Sequence, residues 1–184
     1  YRGWINGLLA GMFSRVLPMG VNAEFTKKPA LTLLWASQTG NAENLAGTFA
    51  KEFKAQGWAV NFQSMNDYSL EKLAKDKLVI FVTSTFGDGD SPDNGGDFWR
   101  QLNSESAPAL PLLEFALLAL GDSNYDQFCG HGKKLFSRLR ALGAKPLIDR
   151  VDCDTDFEVP ANRWLSKLTE KLSGYSGKKT SSNS

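Results

Sequence analysis

The sequence predicts an α/β fold: a doubly wound, five-stranded parallel sheet with helices on both faces. Short apolar runs alternate with amphipathic stretches from Leu31 onward, which is the pattern of such folds. The runs that begin at Leu31, Leu78 and Phe115 are apolar at nearly every residue, as strands buried on both faces are. The predicted strands are 31–36, 58–64, 77–84, 115–121 and 144–151. The predicted helices are 42–55, 69–76, 95–103, 131–142 and 158–172.

The first predicted helix shows the helical periodicity. Leu45, Phe49 and Phe53 recur every four residues, and Gly57 follows where a helix commonly ends. Each later strand is separated from the next by an amphipathic stretch that can form a crossover helix. Because crossover helices connect parallel strands, the five strands are predicted to run in one direction.

The composition limits the classes of function. The chain has 184 residues and a formal net charge of +1, which suits one domain and gives no general attraction to nucleic acid. Cys129, Cys153 and the single histidine have no metal-ligand spacing, so we expect no metal site and a reducing, cytoplasmic compartment. No apolar run reaches the ~18 residues of a membrane span, so a membrane partner is not expected.

The chain divides into three predicted segments. Residues 1–29 form an N-terminal helical or linker segment, because the apolar residues between Trp4 and Val16 fall on one helical stripe. Residues 30–172 form the domain, and residues 173–184, rich in Gly, Ser and Lys, form a flexible tail. The first residue is Tyr1 rather than methionine, so we expect a piece of a longer chain.

Three loops that follow predicted strands carry the polar and aromatic residues of a candidate site. In open α/β sheets, ligands bind outside the carboxyl ends of the strands, near the point where the strand order reverses. The loops are SQTGNA (37–42), STFGDGDSPDNGG (84–96) and LGDSNYDQFC (120–129).

The first loop has the features of a phosphate site without a lysine. Ser37 and Thr39 supply hydroxyls, Gln38 and Asn41 supply amides, and Gly40 permits a tight turn before a helix N-terminus, which favours anions. The loop lacks the lysine of a triphosphate site and the G-x-G-x-x-G of a pyrophosphate site, so a phosphate monoester fits best. The same residues could equally form a simple helix N-cap.

The second and third loops each offer an aromatic side chain. Phe86 lies among glycines and aspartates, and Tyr125 follows the fourth strand. Either ring could cover a planar ligand, and Gly-rich backbone can run flat against one. Together with one site for a phosphate monoester, the two aromatic side chains indicate a flat, phosphorylated ligand, for which FMN is the natural candidate. For the second loop the alternatives are a solvated acidic turn or a calcium loop, although the EF-hand register is missing.

Three motifs, in this order and spacing, resemble the FMN-binding flavodoxin-like domain of the diflavin reductases: S-Q-T-G-N-A-E, S-T-F-G-D-G-D-S-P-D-N and L-G-D-S-N-Y-D-Q-F-C. The resemblance covers roughly residues 30–172 and implies the strand order 2-1-3-4-5. W-I-N-G-L-L-A-G is similar to the segment before this domain in bacterial sulfite-reductase-type flavoproteins. Phe86 replaces the usual glutamine of that sulfite reductase loop and is similar to the nitric oxide synthase version.

The resemblance implies one FMN, bound non-covalently, with Phe86 and Tyr125 stacked on opposite faces of its ring. It implies no catalytic side chain, since the flavin carries the chemistry. Cys129 would be a small packing residue near the ring, and Cys153 and His131 would be structural. The implied cofactor-binding residues are Ser37, Gln38, Thr39, Gly40, Asn41, Ala42, Ser84, Thr85, Phe86, Gly87, Asp88, Leu120, Gly121, Asp122, Ser123, Asn124, Tyr125, Asp126, Gln127, Phe128 and Cys129.

The resemblance also implies partners. Electrons would come from an FAD module reduced by NADPH, a reductase domain of the same parent chain, and would pass singly to a haem or iron–sulfur acceptor. Independently, residues 84–97, 121–130 and 150–158 hold ten of the twenty acidic residues and one basic residue, Arg150. Since all three segments follow strands, we expect an acidic face that steers a basic partner to the flavin. Acidic loops that only aid solubility are the alternative.

Two other kinds of protein remain as alternatives. One is a stand-alone flavodoxin or a flavodoxin-like quinone reductase. The other is a phospho-acceptor signalling domain of similar topology, which needs a phosphorylated aspartate at the end of a strand and a lysine across from it. The segment Ser37-Gln38-Thr39 occupies the position of its first acidic cluster.

Overall fold

The computed structural model describes residues 30–175 and contains one parallel sheet with helices on both faces. The strands are β1 (Ala30–Ala36), β2 (Ala59–Ser64), β3 (Leu78–Thr83), β4 (Glu114–Leu120), β5 (Lys145–Pro146) and β6 (Val151–Cys153). The helices are α1 (Asn41–Ala55), α2 (Leu70–Lys75), α3 (Gly96–Leu102), α4 (Gly130–Ala141) and α5 (Glu158–Ser173), with short 3₁₀ helices at Met65–Asp67 and Asp93–Gly95. The predictions for residues 1–29 and 176–184 lie outside the described residues.

The strand order is β2-β1-β3-β4-β5, with β6 also paired to β4, and all pairings are parallel. This order confirms the predicted doubly wound sheet. The chain moves outward in opposite directions from β1 and β3, so the loops after these two strands meet at the topological switch point. None of the helices within residues 30–175 has the length and apolar character needed to cross a membrane.

The prediction of one continuous fifth strand over 144–151 is wrong, because two short strands occupy that position. β5 pairs with the amino end of β4 and β6 with its carboxyl end. Between them the chain leaves the ladder after Leu147, whose N–H donates to the Phe115 carbonyl at 2.7 Å. The Asp149 carbonyl then accepts from the Trp164 indole of α5 at 3.1 Å. A side-chain contact with α5 thus replaces strand pairing where the sequence pattern favoured a strand.

Two apolar clusters fix the layers on either side of the sheet. On one side α1 and α5 bury side chains such as Phe49, Phe53, Trp164 and Leu168 against the strands. On the other side α2, α3 and α4 bury Leu73, Phe98, Leu102, Leu135 and Leu139. Because β3 and β4 are buried along almost their whole length, side chains are free to meet solvent or a ligand mainly at the strand ends.

Candidate functional site

The loop between β1 and α1 is shaped by the Ser37 hydroxyl, which points inward. Its Oγ accepts hydrogen bonds from the N–H groups of Gly40 at 2.9 Å and Ala42 at 3.2 Å. Gly40 adopts a left-handed conformation (φ 99°), which a residue with a side chain would adopt only with strain. The N-cap residue is therefore Gly40, which has no side chain, and the buried Ser37 hydroxyl instead accepts the first-turn N–H of Ala42.

With the Ser37 hydroxyl turned inward, the other polar groups of this loop face outward. The side chains of Thr39 and Asn41 are exposed. Within the described part of the chain, the N–H groups of Thr39, Asn41 and Glu43 have no acceptor. These donors lie at the N-terminus of the 15-residue helix α1, where the helix dipole favours a negative charge. The arrangement can hold a compact anion by hydrogen bonds alone.

Hydrogen bonds join the first loop to the loop after β3. The Ser37 N–H donates to Asn94 Oδ1 at 2.7 Å, and the Gln38 N–H donates to Ser84 Oγ at 3.3 Å. In return, the Asp93 N–H donates to Gln38 Oε1 at 3.1 Å. The two loops at the switch point are thus one connected unit, and the Gln38 carbonyl oxygen is used within it.

The second loop begins with a tight hairpin. Phe86 and Asp90 exchange two backbone hydrogen bonds, of 2.8 and 2.9 Å, and the turn between them contains Gly87 and Gly89 at positive φ. Behind the hairpin, Thr85 Oγ1 accepts from the His131 N–H at 3.2 Å and so supports the first turn of α4. The hairpin presents Phe86 at the surface.

The third loop turns around Asp122. Its carboxylate accepts from the Asn124 N–H at 2.9 Å, and its carbonyl accepts from the Tyr125 N–H at 3.1 Å. Asp154, which follows β6, accepts from the Ser123 N–H at 3.1 Å. Hydrogen bonds from the Ser123 hydroxyl and N–H hold the pKa of Asp154 below its ordinary value. The loop is therefore tied to the end of the neighbouring strand.

Two exposed aromatic side chains stand on these loops. Phe86 is 48% exposed and Tyr125 is 54% exposed, and they are two of the four large apolar side chains that the structure exposes within residues 30–175. The loops that carry them are in contact, because a Cβ built on Gly89 would lie 3.2 Å from Gln127 Cβ. An exposed aromatic ring on each of two adjoining loops can cover a flat ligand.

Several predicted site residues are turned away from the surface. The side chains of Ala42, Leu120 and Cys129 are buried, so these residues could meet a ligand only through their backbone. Cys129 Sγ lies 3.6 Å from the Ala119 carbonyl and 3.7 Å from the Cys153 carbonyl. Burial raises the pKa of the Cys129 thiol to about 12, so it stays protonated at neutral pH and is not a nucleophile.

Phe128 has an intermediate position. It is partly buried against the apolar cluster formed with α3 and α4, and the Lys133 ammonium lies 5.6 Å from its ring centroid. The remaining predicted residues, from Ser84 to Asp88 and from Gly121 to Gln127, are half-buried or exposed along the rim of the loops.

Two clefts in the described part of the chain lie away from these loops. One, of about 510 Å³, lies between residues 148–151 and α5. The other, of the same volume, lies between α2 and the segment after α3. None of the predicted cofactor-binding residues lines either cleft.

The sequence profile of the flavodoxin family matches residues 33–164, which span β1 to α5 and include all three loops. The chain belongs to the flavodoxin family. Members of this family with the strand order 2-1-3-4-5 bind FMN at the switch point between β1 and β3.

Curated relatives of this flavodoxin-family chain are flavoprotein alpha-components of NADPH sulfite reductase. The protein from Vibrio vulnificus is 40% identical over 177 residues, which are 92% of this chain and 29% of the relative. The protein from Bacillus subtilis is 42% identical over 147 residues, which are 80% of this chain and 24% of the relative. The chain therefore spans less than a third of the length of these relatives.

Solved flavodoxins share the fold. A flavodoxin from Streptococcus pneumoniae TIGR4 superimposes with a TM-score of 0.70 at 25% identity, and covers 79% of this chain and 99% of its own. A cysteine-to-alanine mutant of the flavodoxin from Pseudomonas aeruginosa gives 0.68 at 28% identity, with the same coverage of the two chains.

The residues of this flavodoxin domain fit FMN. The unpartnered N–H groups and the Thr39 hydroxyl suit a phosphate monoester, which needs donors and no lysine. The exposed aromatic rings of Phe86 and Tyr125 suit contact with a flat, apolar isoalloxazine ring.

Asn94, Asp93 and Asp154 position the loops of this flavodoxin domain, and sequence reasoning did not assign them to the site. Asn94 and Asp93 lie at the end of the motif S-T-F-G-D-G-D-S-P-D-N, so their place in the motif was a usable signal. Asp154 lies outside all three motifs, and only the pairing of β6 with β4 brings it near Ser123.

Proposed function

We propose that this chain is the FMN-binding electron-transfer domain of an NADPH-dependent diflavin reductase of the sulfite reductase type. The single observation that carries the proposal is the loop unit at the switch point. There, the loop with outward-facing donors at the start of α1 is hydrogen-bonded to the loop that carries the exposed Phe86, and a second exposed ring, Tyr125, lies on the adjoining loop. The sulfite reductase relatives, of which the chain spans less than a third, support a longer parent protein.

In this proposal each loop holds one part of the cofactor. Residues 37–42 bind the phosphate, and residues 84–88 and 120–129 surround the ring, with Phe86 and Tyr125 on opposite faces. Bound FMN supplies the redox chemistry, since a flavin takes up two electrons and can release them one at a time. The protein's own residues bind and orient the ring, cover its faces and leave one edge open to partners.

The partners belong to the same proposal. An FAD module of the parent chain, reduced by NADPH, supplies the electrons, and a haem or iron–sulfur protein accepts them. A cytoplasmic location is supported by the free thiols of Cys129 and Cys153, which are unpaired in the structure. The boundaries 30–172 are proposed for the domain, whose last helix, α5, ends at Ser173.

Carboxylates around the loops support docking of a basic acceptor. Of the ten acidic residues in the three loop segments, Asp97 pairs with Arg100 and Asp152 pairs with Arg150. We call the other eight the acidic rim: Asp88, Asp90, Asp93, Asp122, Asp126, Asp154, Asp156 and Glu158. A rim of one sign beside an exposed ring raises the encounter rate with a basic partner.

The salt dependence of electron transfer tests this docking. A basic c-type cytochrome serves as the acceptor probe for the photoreduced, FMN-loaded chain, and its reduction is followed by stopped-flow absorbance. The rate should fall steeply as ionic strength rises from about 0.01 to 0.5 M, because salt screens exposed charges. The double variant Asp156→Asn/Glu158→Gln, at exposed rim residues outside the loops assigned to FMN, should be slower at low salt, whereas the matched control Glu52→Gln/Glu71→Gln, on α1 and α2, should not. A rate indifferent to ionic strength would refute docking through the acidic rim.

A further inference from the structure

The hairpin Phe86–Asp90 is held against the start of α4 by contacts that have no part in the proposed function described above. A Cβ built on Gly130 would lie only 3.0 Å from Gly89 Cα, so the hairpin backbone lies directly on the helix start. Lys134, one turn further along α4, donates from Nζ to the Gly89 carbonyl at 3.1 Å. The contact joins residues 45 positions apart in sequence.

Lys134 completes the bonding of one peptide unit in the hairpin. The Gly89–Asp90 peptide donates its N–H to the Phe86 carbonyl at 2.9 Å and offers its carbonyl to Lys134. Gly89 itself is buried and has a φ of 105°, a backbone conformation in which a residue with a side chain would be strained. By contrast, the N–H groups of Gly87 and Asp88 have no acceptor among residues 30–175. The base of the hairpin is therefore anchored while its tip keeps free donors.

The Lys134 charge acts on the same region. Burial is the main cause that lowers the pKa of His131; the Lys134 charge lowers this pKa further, and Asp90 of the hairpin raises it. His131 is 1% exposed, packs edge-on against Trp99 with ring centroids 5.4 Å apart, and has no hydrogen bond to either ring nitrogen within the described structure. The Lys134 ammonium group therefore bonds to the hairpin and acts electrostatically on the single histidine of the chain.

We propose that Lys134 is a positioning residue that locks the base of the hairpin Phe86–Asp90 onto α4 and so presets Phe86 and the hairpin tip for the flavin ring. The proposal rests on the proposed function, because it assigns the hairpin to the ring of FMN. The hydrogen bond that Lys134 makes within residues 30–175 goes to the hairpin and not to residues 37–42, so we assign its contribution to the ring side.

A comparison of flavin affinities tests the proposal in the full 184-residue chain. Lys134→Met keeps the aliphatic stem and removes the donor, and we expect the Kd for FMN and the Kd for riboflavin to rise together, by about three- to tenfold. Lys134→Arg, which can still donate to the Gly89 carbonyl, should restore most of the affinity. Lys51→Met on α1 removes the same charge from an exposed helix and should leave both constants unchanged.

Two readouts in the FMN-free protein test the clamp itself. Amide hydrogen exchange of Phe86 and Asp90, measured by NMR, should be faster in Lys134→Met than in the wild type, Lys134→Arg or Lys51→Met. The pKa of His131, about 4 in the wild type, should rise in Lys134→Met. It should stay below 6.5, because burial, the main cause of the lowered pKa, is unchanged. A global loss of stability would speed exchange throughout the sheet, whereas loss of the clamp speeds it in the hairpin.

The outcomes separate this proposal from the proposed function. Unchanged hairpin exchange and unchanged flavin affinities in Lys134→Met would overturn the positioning role. A loss of FMN affinity with riboflavin affinity retained would overturn it as well, because the effect would then lie on the phosphate side. A wild-type chain that binds no flavin, but whose hairpin exchange responds to Lys134→Met, would refute the FMN function and leave only the clamp.

Discussion

Ser37 and Thr39 lie two residues apart on the loop after β1, yet their hydroxyls face opposite ways. Ser37 is buried and accepts two backbone N–H groups, while Thr39 is exposed and has no hydrogen-bond partner within the described residues. The sequence alone could not separate the two, since either hydroxyl type caps helices well. In the structure Ser37 Oγ satisfies the N–H groups of Gly40 and Ala42, and the Thr39 hydroxyl stays available to a ligand.

Replacement of Thr39 therefore tests the phosphate assignment. In Thr39→Ala we expect the Kd for FMN to rise about tenfold, because a hydrogen bond to a charged group is lost, while the Kd for riboflavin stays nearly constant. Thr48→Ala on α1 is the control, since the Thr48 hydroxyl bonds only to the Asn44 carbonyl of its own helix. Fluorescence titration gives both constants. An equal loss of affinity for FMN and for riboflavin would show that this loop does not bind the phosphate end of the cofactor.

At the scale of the elements, the helices and four strands match the sequence prediction to within one residue at each end. Their periodicity depends on local spacing, which the sequence displays directly. The fifth strand was mispredicted because the chain leaves the ladder after Leu147, and Ile148 then packs on the core from a loop. The contact that competes with strand pairing, between the Trp164 indole and the Asp149 carbonyl, joins residues 15 positions apart, and their proximity depends on how α5 packs on the sheet.

The contact between α3 and α4 predicts a pH dependence of stability. His131 lies between these helices, and burial, with Lys134 as a smaller cause, lowers its pKa from 6.5 to about 4, while Asp90 opposes the shift. The unfolded chain therefore binds a proton at a higher pH than the folded chain. The stabilisation from the neutral ring is complete above pH 6.5 and is lost as pH falls toward 4.

Urea unfolding at pH 7 and pH 5 measures this effect. The wild type should lose about 1–2 kcal/mol more of its free energy of unfolding between these values than His131→Phe, which keeps an aromatic ring against Trp99. Other groups with shifted pKa values, such as Asp76, are present in both proteins and cancel in the difference. Equal pH dependence in the two proteins would show that the His131 ring is not held neutral by its surroundings.

At the scale of the whole molecule, one rule explains why the site could be predicted at all. Parallel strands end at the same edge of a sheet, so loops that are distant in sequence converge there. That rule and the three motifs predicted which loops meet. The rule and the motifs could not predict the hydrogen bonds that hold the loops together, such as those of Ser37 with Asn94 and of Ser123 with Asp154. These hydrogen bonds depend on how far each loop extends beyond its strand.

The acidic face is likewise more mixed than the sequence suggested. Arg100 and Arg150 neutralise two of the ten loop carboxylates, and α4 brings Lys133 and Lys134 up to the loops. These lysines belong to a helix, so they do not appear among the charged residues of the three loop segments. The eight carboxylates of the acidic rim still outnumber the nearby cations.

The central claim is that the unit of three loops binds FMN, and the identity of the bound flavin tests it most directly. The purified chain, or the chain after incubation with FMN, should be yellow with one flavin per protein, and denaturation should release a flavin that chromatography identifies as FMN rather than FAD. A colourless chain that fails to bind added FMN would contradict the account.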